Sequence, residues 1–164
     1  MAHERTAVPE PYLANEEAQQ KLEWLSGQPV SVLLDSATSA GQLMILRSTP
    51  PAGSASPLHV HGREDEVFIL ISGAALVVVG DATHEVRAGG VAFLPRDIPH
   101  AYRITDDAHL LTICTPAGLE GFFRTAGRDL SLPMPDGWAI TPESLAAALD
   151  PFGGRIVGPP PPPP

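Results

Sequence analysis

The hydrophobic positions of this chain fall in short runs divided by turn formers rather than in helical stripes. Residues 30–34, 43–49, 67–71, 75–79 and 110–115 are rich in Val, Ile and Leu, side chains that fit a pleated surface. Pro50-Pro51-Ala52-Gly53, Ser72-Gly73, Gly80-Asp81, Gly89-Gly90 and Pro95-Arg96-Asp97 punctuate the gaps. Many short strands at close spacing predict an all-β sandwich or barrel, not alternating strand and helix units. The pattern shows no internal repeat and no second core.

The ends read differently. Residues 14–25 carry Glu16, Glu17, Ala18 and Leu22, compatible with a helix after Asn15 or with a strand over residues 22–24. Residues 118–128 place Leu119, Phe122 and Phe123 at helical spacing. A second helix is predicted from Thr141-Pro142-Glu143 on through residues 145–149, with Thr141 as N-cap and Pro142 at its first position. The chain closes on Gly158 and six prolines, an extended polyproline run read as a solvated tail. The expected division is an N-terminal arm (1–20), a barrel core (21–116), a helical extension packing on the barrel (117–157) and the tail (158–164).

Composition narrows the partners. At 164 residues the chain has the size of one domain. Nineteen acidic against ten basic residues give a net charge of −9. No basic patch is present to release counterions from phosphate, so no nucleic-acid partner is expected. An anionic membrane surface would repel the chain as well. The longest nearly apolar stretch, residues 67–80, is too short to span a bilayer, and the first residues lack the apolar core of a signal peptide. Cys114 is the sole cysteine, which excludes an internal disulfide and suits a reducing cytoplasm, the expected location. Within its apolar run it reads as a small core hydrophobe.

Candidate chemistry is concentrated between Gly53 and Gly73. His59 and His61, one residue apart, project from the same face of a strand, so their imidazoles can converge on one ion. Glu66 adds a hard oxygen after a short turn, and Phe68 and Leu70 share its face on the next strand. His100 follows Pro99 and opens another apolar segment, with Tyr102 on its face and Arg103 on the other. His3, His84 and His109 have no partner pattern and are assigned to solvent or the barrel exterior.

These residues resemble the two motifs of the cupin superfamily. The first, G-x5-H-x-H-x4-E-x6-G, is matched at Gly53, His59, His61, Glu66 and Gly73; the second is matched at Gly89, Pro95 and His100. Asp97 replaces the second motif's turn glycine, a position where Asp tolerates left-handed geometry. Ile104 replaces the motif's final asparagine, which is not a ligand in the family. The resemblance implies a single jelly-roll β-barrel with short C-terminal helices. It also implies one divalent transition-metal ion on His59, His61, Glu66 and His100. With no thiolate to bias the choice, Fe, Mn, Ni, Co, Cu and Zn are all compatible.

Pro99-His100-Ala101-Tyr102-Arg103 and residues 115–123 further resemble the quercetin 2,3-dioxygenase-like monocupins. That resemblance implies a dioxygenase acting on a small aromatic or enol, flavonol-like substrate. Glu66 would be both ligand and general base, and Phe68, Leu70 and Tyr102 would line the substrate pocket. Non-redox metal catalysis (isomerisation, cyclisation, decarboxylation or hydrolysis) and small-molecule binding without turnover are the competing classes. Barrels of this kind leave open sheet edges, so a homodimer is expected, with residues 22–34 pairing across a two-fold axis.

Overall fold

The computed structural model describes residues 10–164, so His3 lies outside the described residues. Ten strands and two α-helices follow in the order β1 (Gln20–Glu23), β2 (Pro29–Leu34), β3 (Met44–Ser48), β4 (Leu58–His61), β5 (Asp65–Val79), β6 (Ala82–Arg87), β7 (Val91–Leu94), β8 (His100–Thr115), α1 (Glu120–Ala126), β9 (Arg128–Asp129), α2 (Pro142–Leu149) and β10 (Gly154–Gly158). All strand pairings are antiparallel. The two long strands form the spine. β5 and β8 pair from Asp65↔Thr115 to Val79↔His100. β6 and β7 cover the free edge of β5, while β3 and β4 cover that of β8. This is the all-β barrel with short C-terminal helices that the alternation of runs and turns predicts.

The Ser72-Gly73 turn expected between residues 71 and 75 is instead a kink inside one continuous strand. The β5–β8 register shifts three times between Leu70 and Ala75. Such bulges bend a strand without ending it. Gly73 has φ +81°, and a Cβ there would lie 2.3 Å from the Asp107 carbonyl oxygen. Only glycine fits that backbone and that approach.

Near the N-terminus the strand alternative prevails. A 3-10 turn (Glu16–Ala18) leads into β1, whose Leu22 is buried. β1 pairs with β2 on one edge and with β9 on the other, through Leu22↔Asp129 and Glu23↔Arg128. The edge expected to join a second copy is therefore partly covered within the chain. Both helices form where expected. The Thr141 hydroxyl accepts from Ser144 N–H, and the Ser144 hydroxyl accepts from Thr141 N–H, a reciprocal cap on the first turn of α2.

The chain's end is not a free tail. β10 pairs with β4, and beyond it the Pro159 carbonyl accepts from Leu58 N–H. Arg103 Nε donates to the Pro161 carbonyl at 2.6 Å, and Pro161 is buried. Proline lacks a donor but keeps its acceptor, and outward-facing Arg103 supplies the partner. The interior holds one cluster around Leu22, Val30, Met44, Leu46 and Leu149 and another around Phe68, Leu70, Val77, Leu94 and Ile104. Ala126, Leu145 and Ala148 pack with Trp24 and Phe122 to seat the helices on the barrel. No helix among the described residues is long and apolar enough to cross a membrane.

Candidate metal centre

His59 and His61 come from β4, Glu66 from the start of β5 and His100 from the first position of β8. Each offers one ligand atom, and the four atoms lie within 4.8 Å of one another. Strand period two aims both β4 histidines inward, and the His59↔His100 register pair brings β8 to meet them. The ring centroids are 4.5 Å apart for His59 and His100, and 4.8 Å for His61 and His100. His61, Glu66 and His100 are buried, and His59 is half-buried.

The outer nitrogens fix the protonation of the inner ones. Nδ1 of His59 bonds the Pro57 carbonyl at 2.8 Å, that of His61 the Glu64 carbonyl at 3.1 Å, and that of His100 the Ile98 carbonyl at 2.9 Å. A carbonyl only accepts, so each Nδ1 carries a proton; a neutral ring then presents a bare Nε2 lone pair inward, and a ring protonated on both nitrogens donates from Nε2. Yet His61 Nε2 lies 3.3 Å and His100 Nε2 3.0 Å from Glu66 Oε2. Lone pairs facing a carboxylate at that distance need positive charge between them. Protons can supply it, and so can a divalent ion; the donor set therefore fits the metal that the motif implies.

The titration shifts show the same need. Burial opposes charge on Glu66, but hydrogen bonds from His100 and His61 outweigh it and hold the carboxyl below its usual range. Burial also opposes charge on His61, and Glu66 overrides it, so His61 is raised. Burial and the neighbouring His100 bring His59 down to about 4. Burial lifts the Tyr102 phenol to about 12, with Glu66 adding to the rise, so the group stays protonated. Burial raises the Cys114 thiol too, which leaves it an inert core side chain.

A cavity of about 90 Å³ opens beside the cluster, several times the roughly 10–15 Å³ that one water needs. His59 and Glu66 line it, and His61 and His100 do not. Phe68 and Tyr102 also line it, in an edge-to-face pair with centroids 5.4 Å apart. Leu70 does not. It shares Glu66's face, but two further residues along β5 carry it into the second core cluster beside Leu110 and Val77. Asp97 takes φ +65°, the left-handed geometry its turn requires.

Several pocket residues carry no motif signal. Trp24, Leu25, Leu145, Leu149 and Ile156 line the cavity from segments outside the two metal motifs, together with Phe122 and Phe123. The adjacent phenylalanines were the available clue, because aromatic residues make up only 5% of the chain. Glu64 is also buried, with Oε2 lacking a hydrogen-bond partner and lying 4.0 Å from His61 Nδ1. Burial pushes its carboxyl up. Of the remaining histidines, His84 is exposed and His109 half-buried.

Residues 46–115 match the cupin domain family. Over 54 residues the chain is 33% identical to an uncharacterized protein of Streptomyces coelicolor, covering 32% of this chain and 51% of that one. The chain spans about half the length of the curated relatives it matches. An RmlC-like cupin from Shewanella frigidimarina superposes with TM-score 0.58 at 18% identity, covering 70% of this chain and 98% of that one. A structure described as a predicted oxalate decarboxylase from Thermotoga maritima gives 0.55 at 18% identity, covering 64% and 99%. At such identities the likeness is one of fold. Matched domain, ligand constellation and barrel agree: the chain has a cupin fold, and residues 46–115 within it match the cupin domain family.

Proposed function

We propose that the protein is a metal-dependent dioxygenase acting on a small aromatic or enolic substrate. The observation that carries the reading is that, of the four candidate ligands, His59 and Glu66 face the cavity, beside an aromatic wall of Phe68 and Tyr102. A divalent ion held by His59, His61, Glu66 and His100 would supply Lewis acidity toward a substrate hydroxyl and, if redox-active, reactivity with dioxygen. The chain's own residues do the rest. Glu66, kept ionised by His100 and His61, can take the proton of a substrate hydroxyl within hydrogen-bond reach. Tyr102, kept protonated, can donate to a substrate oxygen. The apolar walls keep bulk water from the reacting carbon.

Loading the protein in turn with each candidate transition metal and following O₂ in an oxygen electrode with flavonols and related enols tests the reading. Expected is O₂ uptake with at least one metal. Glu66→Gln should lower turnover by about 10²–10⁴-fold, far more than it lowers metal content. Product formed at the same rate without oxygen would assign the site to non-redox catalysis instead. Binding with no product under either condition would assign it to ligand binding alone.

A further inference from the structure

The cavity is walled largely by side chains that the metal motifs do not include. Trp24 and Leu25 come from the link between β1 and β2, Phe122 and Phe123 from α1, and Leu145 and Leu149 from α2. Trp24 meets Phe123 at 4.6 Å and Phe122 at 5.3 Å between ring centroids. This gives the cavity a second aromatic cluster besides the Phe68–Tyr102 pair on the barrel. Flat aromatic bodies pack against such rings by offset or edge-on contact.

Charge narrows the ligand further. Among the described residues lining the cavity there is no lysine, arginine, asparagine or glutamine. The polar side chains are confined to His59, Glu66, the hydroxyls of Ser48, Ser56, Thr112 and Tyr102, and the indole of Trp24, and none of them but Glu66 is an anion and none a fixed cation. A divalent ion on three neutral imidazoles and one carboxylate leaves a single net positive charge. One ligand oxyanion balances it. A second anionic group would be buried without a partner, which is strongly unfavourable.

We propose that the cavity selects a ligand with one ionisable oxygen on a flat, otherwise uncharged apolar body, and that Trp24, Phe122 and Phe123 select that body. The proposal rests on the metal site described above but not on oxygen chemistry. Dicarboxylates and phosphorylated compounds of similar size are excluded by the same charge balance.

Zinc-loaded full-length protein, which cannot exchange electrons with O₂, is titrated calorimetrically with 3-hydroxyflavone and with oxalate while zinc retention is measured. Expected is one-to-one binding of 3-hydroxyflavone that a large excess of oxalate does not displace. Phe122→Leu and Phe123→Leu keep apolar bulk but remove a ring, and should weaken that binding about three- to tenfold, the equivalent of a lost aromatic contact, with zinc content unchanged. Thr112→Lys places a cation in the cavity and should make oxalate binding measurable. Oxalate binding to the unaltered protein as tightly as 3-hydroxyflavone would overturn the proposal. So would unchanged 3-hydroxyflavone affinity in both phenylalanine variants. If either variant fails to fold, the oxalate competition on the unaltered protein decides. Failure to consume O₂ with redox metals would remove the dioxygenase reading and leave these binding results standing.

Discussion

His59 and His100 form the one register pair that joins β4 to β8, with ring planes 67° apart and centroids 4.5 Å apart. The seam that closes the barrel here is thus also a contact between two candidate ligands. An ion at this point would tie the seam as well as serve chemistry. Protein purified without chelator should carry close to one transition-metal ion per chain by elemental analysis. His100→Ala should lose most of it, and a His59→Ala/His100→Ala double variant all of it. At free metal about a hundredfold above Kd, loading should stabilise the fold by about 2.7 kcal/mol, read as a raised Tm. Tight metal retention by the double variant would place the ion elsewhere.

Removing the metal should give the protein a stability maximum near pH 6.5. His61 is raised in the fold, so its contribution is fully present below its ordinary 6.5 and fades as pH rises through its folded value. His59 is lowered to about 4, so stability is lost as pH falls from 6.5 toward that value. Glu66 is lowered too, adding a loss once pH drops below its ordinary 4.5. A bound ion replaces the proton on His61, since metal needs the neutral ring. The loaded protein should therefore keep its stability above pH 6.5, and metal affinity should rise with pH through the His61 titration. Thermal unfolding across pH, with and without chelator, measures both; coincident profiles would contradict the assignment.

Gly73→Ala tests the kink in β5. With φ +81° and a carbonyl 2.3 Å from the new Cβ, the change should cost more than about 2 kcal/mol. Urea unfolding should show this as a lower midpoint. A neutral result would mean that β5 can relax without its bulges.

Thr141→Ala removes the acceptor for Ser144 N–H. The expected loss is about 1 kcal/mol in chemical unfolding. Because α2 carries Leu145 and Leu149 to the cavity wall, ligand affinity should weaken while metal content stays constant.

Assembly is expected to be dimeric through an apolar sheet face. Val91 and Phe93 on β7 are 64% and 59% exposed. They lie beside Ile69 and Val67 of β5, which pair in turn with Leu111 and Ile113 of β8. None of these side chains is charged, on a chain of net charge −9. A second copy can therefore approach along this face without the repulsion it meets elsewhere, and a two-fold contact uses the same patch twice. Light scattering at micromolar concentration should give twice the chain mass, and Phe93→Glu should give a monomer. A monomeric mass for the unaltered protein removes the idea.

The grouping of the four candidate ligands was legible because each part of it is a local rule. Period-two alternation puts His59 and His61 on one face, a short turn returns Glu66, and a proline-rich turn starts β8 at His100. Asp97 at positive φ and the Thr141 cap are equally local, set by the reach of one side chain to its own backbone. Leu70 marks where the rule stops. Alternation says which face a side chain takes, not how far along the barrel it sits, so a residue on Glu66's face ended in the core. The kink at Gly73 was legible as a glycine but not as a continuing strand, because that depends on the Asp107 carbonyl packed against it.

Strand content, the candidate ligands, the net charge of −9 and the cap of α2 were determined by the sequence alone, since each depends on residues a few positions apart or on composition. Tertiary structure alone decided that β10 pairs with β4 beside His59, that Arg103 captures Pro161, and that Trp24, Phe122 and Phe123 meet over one cavity. Those contacts join residues far apart in the chain. Which distant partners meet depends on how the barrel closes, and that closure is a property of all the strand pairings together.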